Sequence, residues 1–283
     1  MSGAAGAAAT GTALVLVGFT DAQRDDLRRA VGLLEADSLV NRISGLLGRP
    51  VDRLLASLPT GASGLIQSTT GAALRSAAAG AVRTVPAQGA GLTGWGWLDR
   101  QLRADWAHKA ATAVAGAGGG FIGLPGVLAE LPVTTALMLR AIAQIGAEEG
   151  EDVWSEEGRR QCLQVFAFGG PSSSDDQAET GYIAVRIALA ELVANAAGQP
   201  LRALLPGFLL AVAERFGAQV SVKVAGQAVP VIGAAAGGVI NVLFTEHFQA
   251  KARGHFIVRR LERQHGWEAT RRLYDQLAAE RRA

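Results

Sequence analysis

The sequence predicts an all-α fold, and three observations carry that prediction. Apolar residues recur at three- and four-residue spacing in almost every segment, strict alternation is almost absent, and glycine- or proline-rich stretches separate the periodic runs. With 283 residues, 49% of them hydrophobic and 18% charged, the chain can bury a sizeable core and is too apolar for a disordered protein. The expectation is a multi-helix globular bundle with Gly/Ala-rich central helices behind a short disordered N-terminus.

The elements follow in order. Met1 to Thr12 is Ala- and Gly-rich and reads as disordered, and Ala13 to Val17 as a short strand or strap. Asp21 caps a first helix carrying Leu27, Ala30, Val31 and Leu34, and a second, with Leu39, Ile43, Leu46 and Leu47, stops at Gly48. Pro50 suits the first turn of a short third helix ending near Leu58. Residues 64–85 form a helix through Leu65, Ile66, Leu74, Ala78 and Val82. Pro86 to Gly96 reads as a linker, and Trp97, Leu98, Leu102 and Trp106 open the next helix. Helical spacing then covers Pro125–Ala147, Glu156–Phe168, Ala178–Ala197 and Leu204–Phe216, with a loop at 169–174. From Val220 the chain reads as a helix, a break at Pro230, a long helix and a charged terminal helix. The resulting division is a flexible segment 1–20, a helical region 21–90 and a helical domain 91–283, or one continuous domain over 21–283.

Charge is segregated along the chain. Residues 1–147 carry 12 basic and 9 acidic residues, 148–250 carry 6 and 12, and 251–283 carry 9 and 4. The acidic cluster of Glu148, Glu149, Glu151, Asp152, Glu156 and Glu157 and the basic run of Arg259, Arg260 and Arg263 read as solvated faces. An acidic–basic contact within the molecule and a cationic edge toward anionic lipid are the alternatives; each arginine near such a surface contributes about 1 kcal/mol. The single cysteine, Cys162, excludes an internal disulfide and any multi-cysteine zinc site, in keeping with a reducing compartment. No positive n-region precedes Leu14-Val15-Leu16-Val17, so a secretory signal is not expected.

Two uncharged segments are long enough to raise the question of a membrane. Ala110 to Ala129 has twenty residues and Val224 to Thr245 has twenty-two, against about 20 for a bilayer span. Nine strong apolar residues in the second supply about −3 to −5 kcal/mol toward insertion, opposed by Gln227, Pro230, Asn241 and four glycines. The pairs Gly116/Gly120, Gly119/Gly123 and Gly233/Gly237 are spaced for close helix approach. Buried interior helices are the first reading, and contact with a bilayer the second. Gly118 to Gly123 matches G-x-G-x-x-G, but no strand precedes it and no P-loop lysine follows, so nucleotide binding is not expected.

Gly123-Leu124-Pro125-Gly126, Glu130-Leu131-Pro132 and Leu139-Arg140-Ala141-Ile142-Ala143, followed by Gln227-Ala228-Val229-Pro230-Val231-Ile232-Gly233, Gly238, Ile240-Asn241, Phe244 and His247-Phe248, resemble the two signatures of the EcsC family of bacterial proteins. The resemblance covers about residues 95–275. It implies a mostly helical protein from a family named after a gene accompanying a transporter operon, with no assigned catalytic residues. Where it implies aromatics, this chain has Glu149-Gly150-Glu151-Asp152.

Catalytic patterns are sparse. Glu262-x-x-His265 and Asp105-x-x-His108 have the spacing of carboxylate/His metal ligands, with Glu130, Glu246 and His247 as conceivable completions. His247 and His255 lie about 80° apart on an ideal helix. Both precede phenylalanines, so their imidazoles are expected at the boundary of the core. Glu130 and Arg140 interrupt apolar sequence and need a partner or an exit to water. Cys162 reads as a buried inert thiol. The basic C-terminal residues lack an aromatic platform, so no nucleic acid is expected as a partner, and no cofactor is implied.

The sequence therefore favours a cytoplasmic, non-enzymatic helical protein peripheral to the inner membrane face or to a membrane complex. Apolar surface around Gly116–Leu128 and Val229–Phe244 would make the contact, and Arg259, Arg260 and Arg263 would meet headgroups without a role in folding. A soluble helical enzyme with a carboxylate/His site, and an oligomeric interaction module, are the alternatives.

Overall fold

The computed structural model describes residues 18–80, 124–169, 181–194, 201–227 and 233–282. Outside them lie the N-terminal segment, the 86–96 linker, the helix expected from Trp97, the Gly118–Gly123 stretch, residues 170–174 of the expected loop, the first residues of the helix expected from Ala178 and the Pro230 break. Among the described residues every regular element is helical, so the fold is an all-α bundle. The helices are α1 (Asp21–Leu34), α2 (Leu39–Leu47), α3 (Val51–Ala56), α4 (Ala62–Gly80), α5 (Leu124–Glu148), α6 (Glu156–Gln164), α7 (Tyr182–Ala194), α8 (Leu201–Gln227), α9 (Gly233–His265) and α10 (Trp267–Arg282).

Local chemistry sets the boundaries. Thr20, not Asp21, caps α1: its hydroxyl accepts from the Gln23 amide and its own N–H donates back to Gln23 Oε1 at 2.9 Å, a reciprocal box that Asp21 is one residue too late to make. Ser38 caps α2, which ends at Gly48 in the left-handed region (φ 61°). Helix α6 is shorter than its periodicity, because Val165–Ala167 tightens into a 3₁₀ turn. Its start is fixed by Ser155 and by Gly158, where a Cβ would lie 1.9 Å from the Asp152 carbonyl oxygen.

The largest departure is in α8. The spacing breaks between Phe216 and Val220, yet one helix runs from Leu201 to Gln227. Gly217 lies inside it: a Cβ there would sit 2.5 Å from Gln67 Oε1, so the missing side chain lets α4 approach α8.

Helix α9 is the spine. It packs against α1, α2, α5, α8 and α10, and the core draws on all the helices around it. Phe166, Phe216, Phe244 and Phe248 form an aromatic cluster with ring centroids 4.7–5.9 Å apart, each pair adding about 0.5–1.5 kcal/mol to its burial. The C-terminal end of α1 seats on Gly254, where a Cβ would come within 2.6 Å of Leu34 Cγ. One turn earlier, Lys251 Nζ donates to the Leu33 and Leu34 carbonyls at 3.2 and 2.6 Å, satisfying groups that the end of α1 leaves open.

Candidate functional site

Glu130 on α5 and Asn241 on α9, 111 residues apart, meet in the interior. Lys223 Nζ of α8 donates to Glu130 Oε1 at 2.7 Å, and Asn241 Nδ2 donates to the same oxygen at 3.0 Å. The Glu130 and Lys223 side chains are 8% and 1% exposed. Burial pushes the Lys223 amine below its ordinary range, and the facing carboxylate pulls it partly back. Lys223 also lies 5.2 Å from the Phe244 ring centroid. The sequence marks Glu130 as needing a partner; Lys223, the only charge between Arg215 and Glu246, carries the signal that finds it. Pro132 lies inside α5 with its ring exposed. Arg140 is half-buried with no ion pair among the described residues.

A second cluster joins the acidic turn after α5 to the basic end of α9. Glu151 accepts from Arg259 at 3.0 and 2.6 Å and from Arg263 Nη1, while Arg263 Nη2 donates to the Glu149 carbonyl. Arg260 pairs with Asp26 at 2.6 Å and with Glu149 at 3.3 Å. Burial would raise the Glu151 carboxyl, but the two guanidinium groups hold it below its usual value. The two charged stretches are thus partners within the molecule. The expectation that these arginines stand apart from folding is corrected: Arg259 neutralises a carboxylate that is 6% exposed.

A third chain of polar contacts crosses from α7 to α6. Arg186 grips Glu262 at 2.5 and 2.9 Å and donates to Tyr182 Oη at 3.3 Å. Tyr182 Oη lies 2.9 Å from His255 Nδ1, and His255 Nε2 lies 2.9 Å from Gln161 Oε1. Since an amide oxygen only accepts, Nε2 carries the proton and Nδ1 accepts from the phenol. Gln161 Nε2 continues to Glu157 at 2.7 Å. Burial lowers His255 well below the imidazole range, with Arg186 and Arg259 adding to the effect, and raises the Tyr182 phenol.

The histidines do not sit at the boundary. His255 is fully buried and His247 nearly so, against the expectation from their spacing, because Tyr182 and Gln161 satisfy the first and a close fit under Gly169 encloses the second. Burial and the Lys251 ammonium push His247 down to about 3. Cys162 is buried, with its thiol pushed up by desolvation.

The conceivable metal ligands are not brought together. Glu130 belongs to Lys223, Glu262 to Arg186, and His265 stacks on Phe19 with centroids 4.1 Å apart. Among the described residues no group of three or more His, Cys, Asp or Glu is placed to hold a metal. Asp105 and His108 lie outside them, as do Gly123 and Pro230; Leu124 and Pro125 begin α5, Gln227 ends α8 and Gly233 begins α9. Gly126 sits half-buried one turn before Glu130.

A family model for the EcsC protein family matches residues 98–261, more than half of the chain. The chain belongs to the EcsC protein family. No curated protein and no solved structure matches it. In this EcsC-family chain the two sequence signatures are tied together by the Asn241–Glu130 hydrogen bond, and Lys223, ahead of the second signature, donates to the same oxygen.

Proposed function

We propose that this EcsC-family protein is a non-enzymatic helical protein that docks on the cytoplasmic face of a membrane through the outer face of α5. One observation carries the reading. Gly126–Glu148 is long and apolar enough to cross a membrane by length and composition, yet only half of its most apolar stretch is buried. The uncovered half is one face: Ala129, Pro132 and Val133 are exposed, Leu128, Ala136 and Leu137 half-buried, and Arg140 closes the row. Val133 is 61% exposed. Spacing of three and four residues makes this an apolar stripe along the helix, the form suited to lying in the headgroup region with the cation of Arg140 toward the lipid phosphates. Leu65 on α4 and Val239 on α9, helices that pack beside α5, are also exposed. Arg259, Arg260 and Arg263 serve the intramolecular cluster first in this reading.

Flotation with vesicles of phosphatidylglycerol and phosphatidylethanolamine at low salt tests it. The wild type is expected to float, and the Ala129→Asp/Val133→Asp double variant to remain at the bottom. A wild type that stays with the soluble fraction overturns the reading. In cell fractionation, recovery only with one membrane protein complex, and never with protein-free vesicles, assigns the same face to a protein partner instead.

A further inference from the structure

The stripe on α5 leaves unexplained a cavity of about 540 Å³ on the side of the molecule built by α1, α7, α9 and α10. Its size falls within the range of small-molecule sites, about 300–1,000 Å³. Leu34, Phe168, Ile183 and Ile187 give it an apolar wall. Among the described residues, four cations, Lys251, Arg271, Arg281 and Arg282, share the lining with two carboxylates, Glu35 and Asp275.

Both carboxylates are engaged. Glu35 accepts from the Tyr274 hydroxyl at 2.7 Å, and Asp275 faces Arg271 at 3.7 Å. Lys251, Arg281 and Arg282 make no ion pair among the described residues. Lys251 is 2% exposed and spends two of its three N–H donors on the Leu33 and Leu34 carbonyls. The Glu35 carboxylate in the same lining acts on this ammonium without pairing with it, and the third N–H, with no partner among the described residues, is open to an incoming anion. Burial, with Arg42 adding to it and Glu35 opposing, pushes the Lys251 amine down to about 8. The two terminal arginines are exposed, so the charge extends from the interior to the solvent.

We infer that this cavity binds an anionic amphiphile, an acyl or aryl body lying against Leu34, Phe168, Ile183 and Ile187 with a carboxylate or phosphate head held by Lys251, Arg281 and Arg282. The apolar wall selects against a bare inorganic anion, and the cations against a neutral or cationic detergent. The inference is independent of membrane docking, since it uses none of the α5 stripe.

Isothermal titration of the full chain with dodecyl phosphate, below its micelle concentration, is the test. Inorganic phosphate and dodecyl maltoside serve as comparison probes. Saturable one-to-one binding of dodecyl phosphate is expected, at least 100-fold tighter than either. Ala184→Trp, which fills the cavity, should weaken it at least tenfold, and Arg281→Ala/Arg282→Ala about tenfold. Lys251 also holds α1, so the exposed arginine pair carries the charge test and circular dichroism verifies each fold. Absence of saturable binding, equal binding of inorganic phosphate or of dodecyl maltoside, or an unchanged affinity in folded Ala184→Trp overturns the inference. Vesicle flotation of Arg281→Ala/Arg282→Ala at the wild-type level, together with unchanged dodecyl phosphate binding by Ala129→Asp/Val133→Asp, assigns the ligand to the cavity; the reverse pattern assigns it to the membrane surface and overturns the inference.

Discussion

Lys223 reaches Glu130 across 93 residues of sequence and closes a 2.7 Å ion pair that water scarcely touches. Such a pair is weak as a source of stability and costly to break, because removing one partner strands a buried charge. Glu130→Ala and Lys223→Ala should each lose about 3–5 kcal/mol in urea unfolding. The double variant Glu130→Leu/Lys223→Met should recover most of that loss, showing that the unpaired charge, and not the lost contact, is the larger part.

The buried imidazoles make the fold acid-sensitive. His247 and His255 stay neutral in the folded chain and take up protons near their ordinary value, 6.5, once unfolded. Stability is therefore fully present above pH 6.5 and is lost as pH falls toward 3, at up to about 1.4 kcal/mol per pH unit for each histidine. A falling unfolding free energy between pH 6.5 and 5 reports the histidines, whose ordinary value lies in that window. His247→Leu should reduce that slope by about half.

Glu151 is the node of the charged cluster, and its partners differ in exposure. Glu151→Gln should cost about 3 kcal/mol by leaving Arg259 and Arg263 without their shared carboxylate. Arg263, whose side chain is 38% exposed, should cost under about 1 kcal/mol when changed to Ala. Chemical denaturation of the two variants side by side distinguishes a shared node from two independent surface pairs.

Two glycines should respond in opposite directions to alanine. Gly158→Ala drives a methyl into the Asp152 carbonyl and should lower the unfolding midpoint sharply. Gly45 in α2 meets nothing within 4 Å, so Gly45→Ala should stabilise by about 0.5–1 kcal/mol. Thermal unfolding of both reads the contrast.

The α5 stripe predicts a separation of folding from binding. Ala129→Asp/Val133→Asp changes exposed positions and should leave the unfolding free energy within about 0.5 kcal/mol while abolishing vesicle flotation. Equal flotation of the variant and the wild type would remove α5 as the contact.

The helical class was legible because periodicity is local, and so was Glu130, a lone charge in apolar surroundings. Its partner was not, since nothing in a single sequence says that α8 returns beside α5. Gly217 and Gly158 were silent for the same reason: a glycine that makes room for a neighbour carries no sign of it until the neighbour is known. The boundary position assigned to His255 failed because its two partners, Tyr182 and Gln161, come from other helices. The cation-lined cavity was invisible, assembled as it is from five separated stretches of chain.

The seat of α1 on α9 has a practical consequence. The family match covers residues 98–261, while Lys251 and Arg260 within it bond to Leu33, Leu34 and Asp26 outside it. A fragment trimmed to the matched stretch would uncover the apolar trough at Gly254 and strip Lys251 of both carbonyls it donates to, and should aggregate. Expression vectors for this protein should begin no later than Gly18.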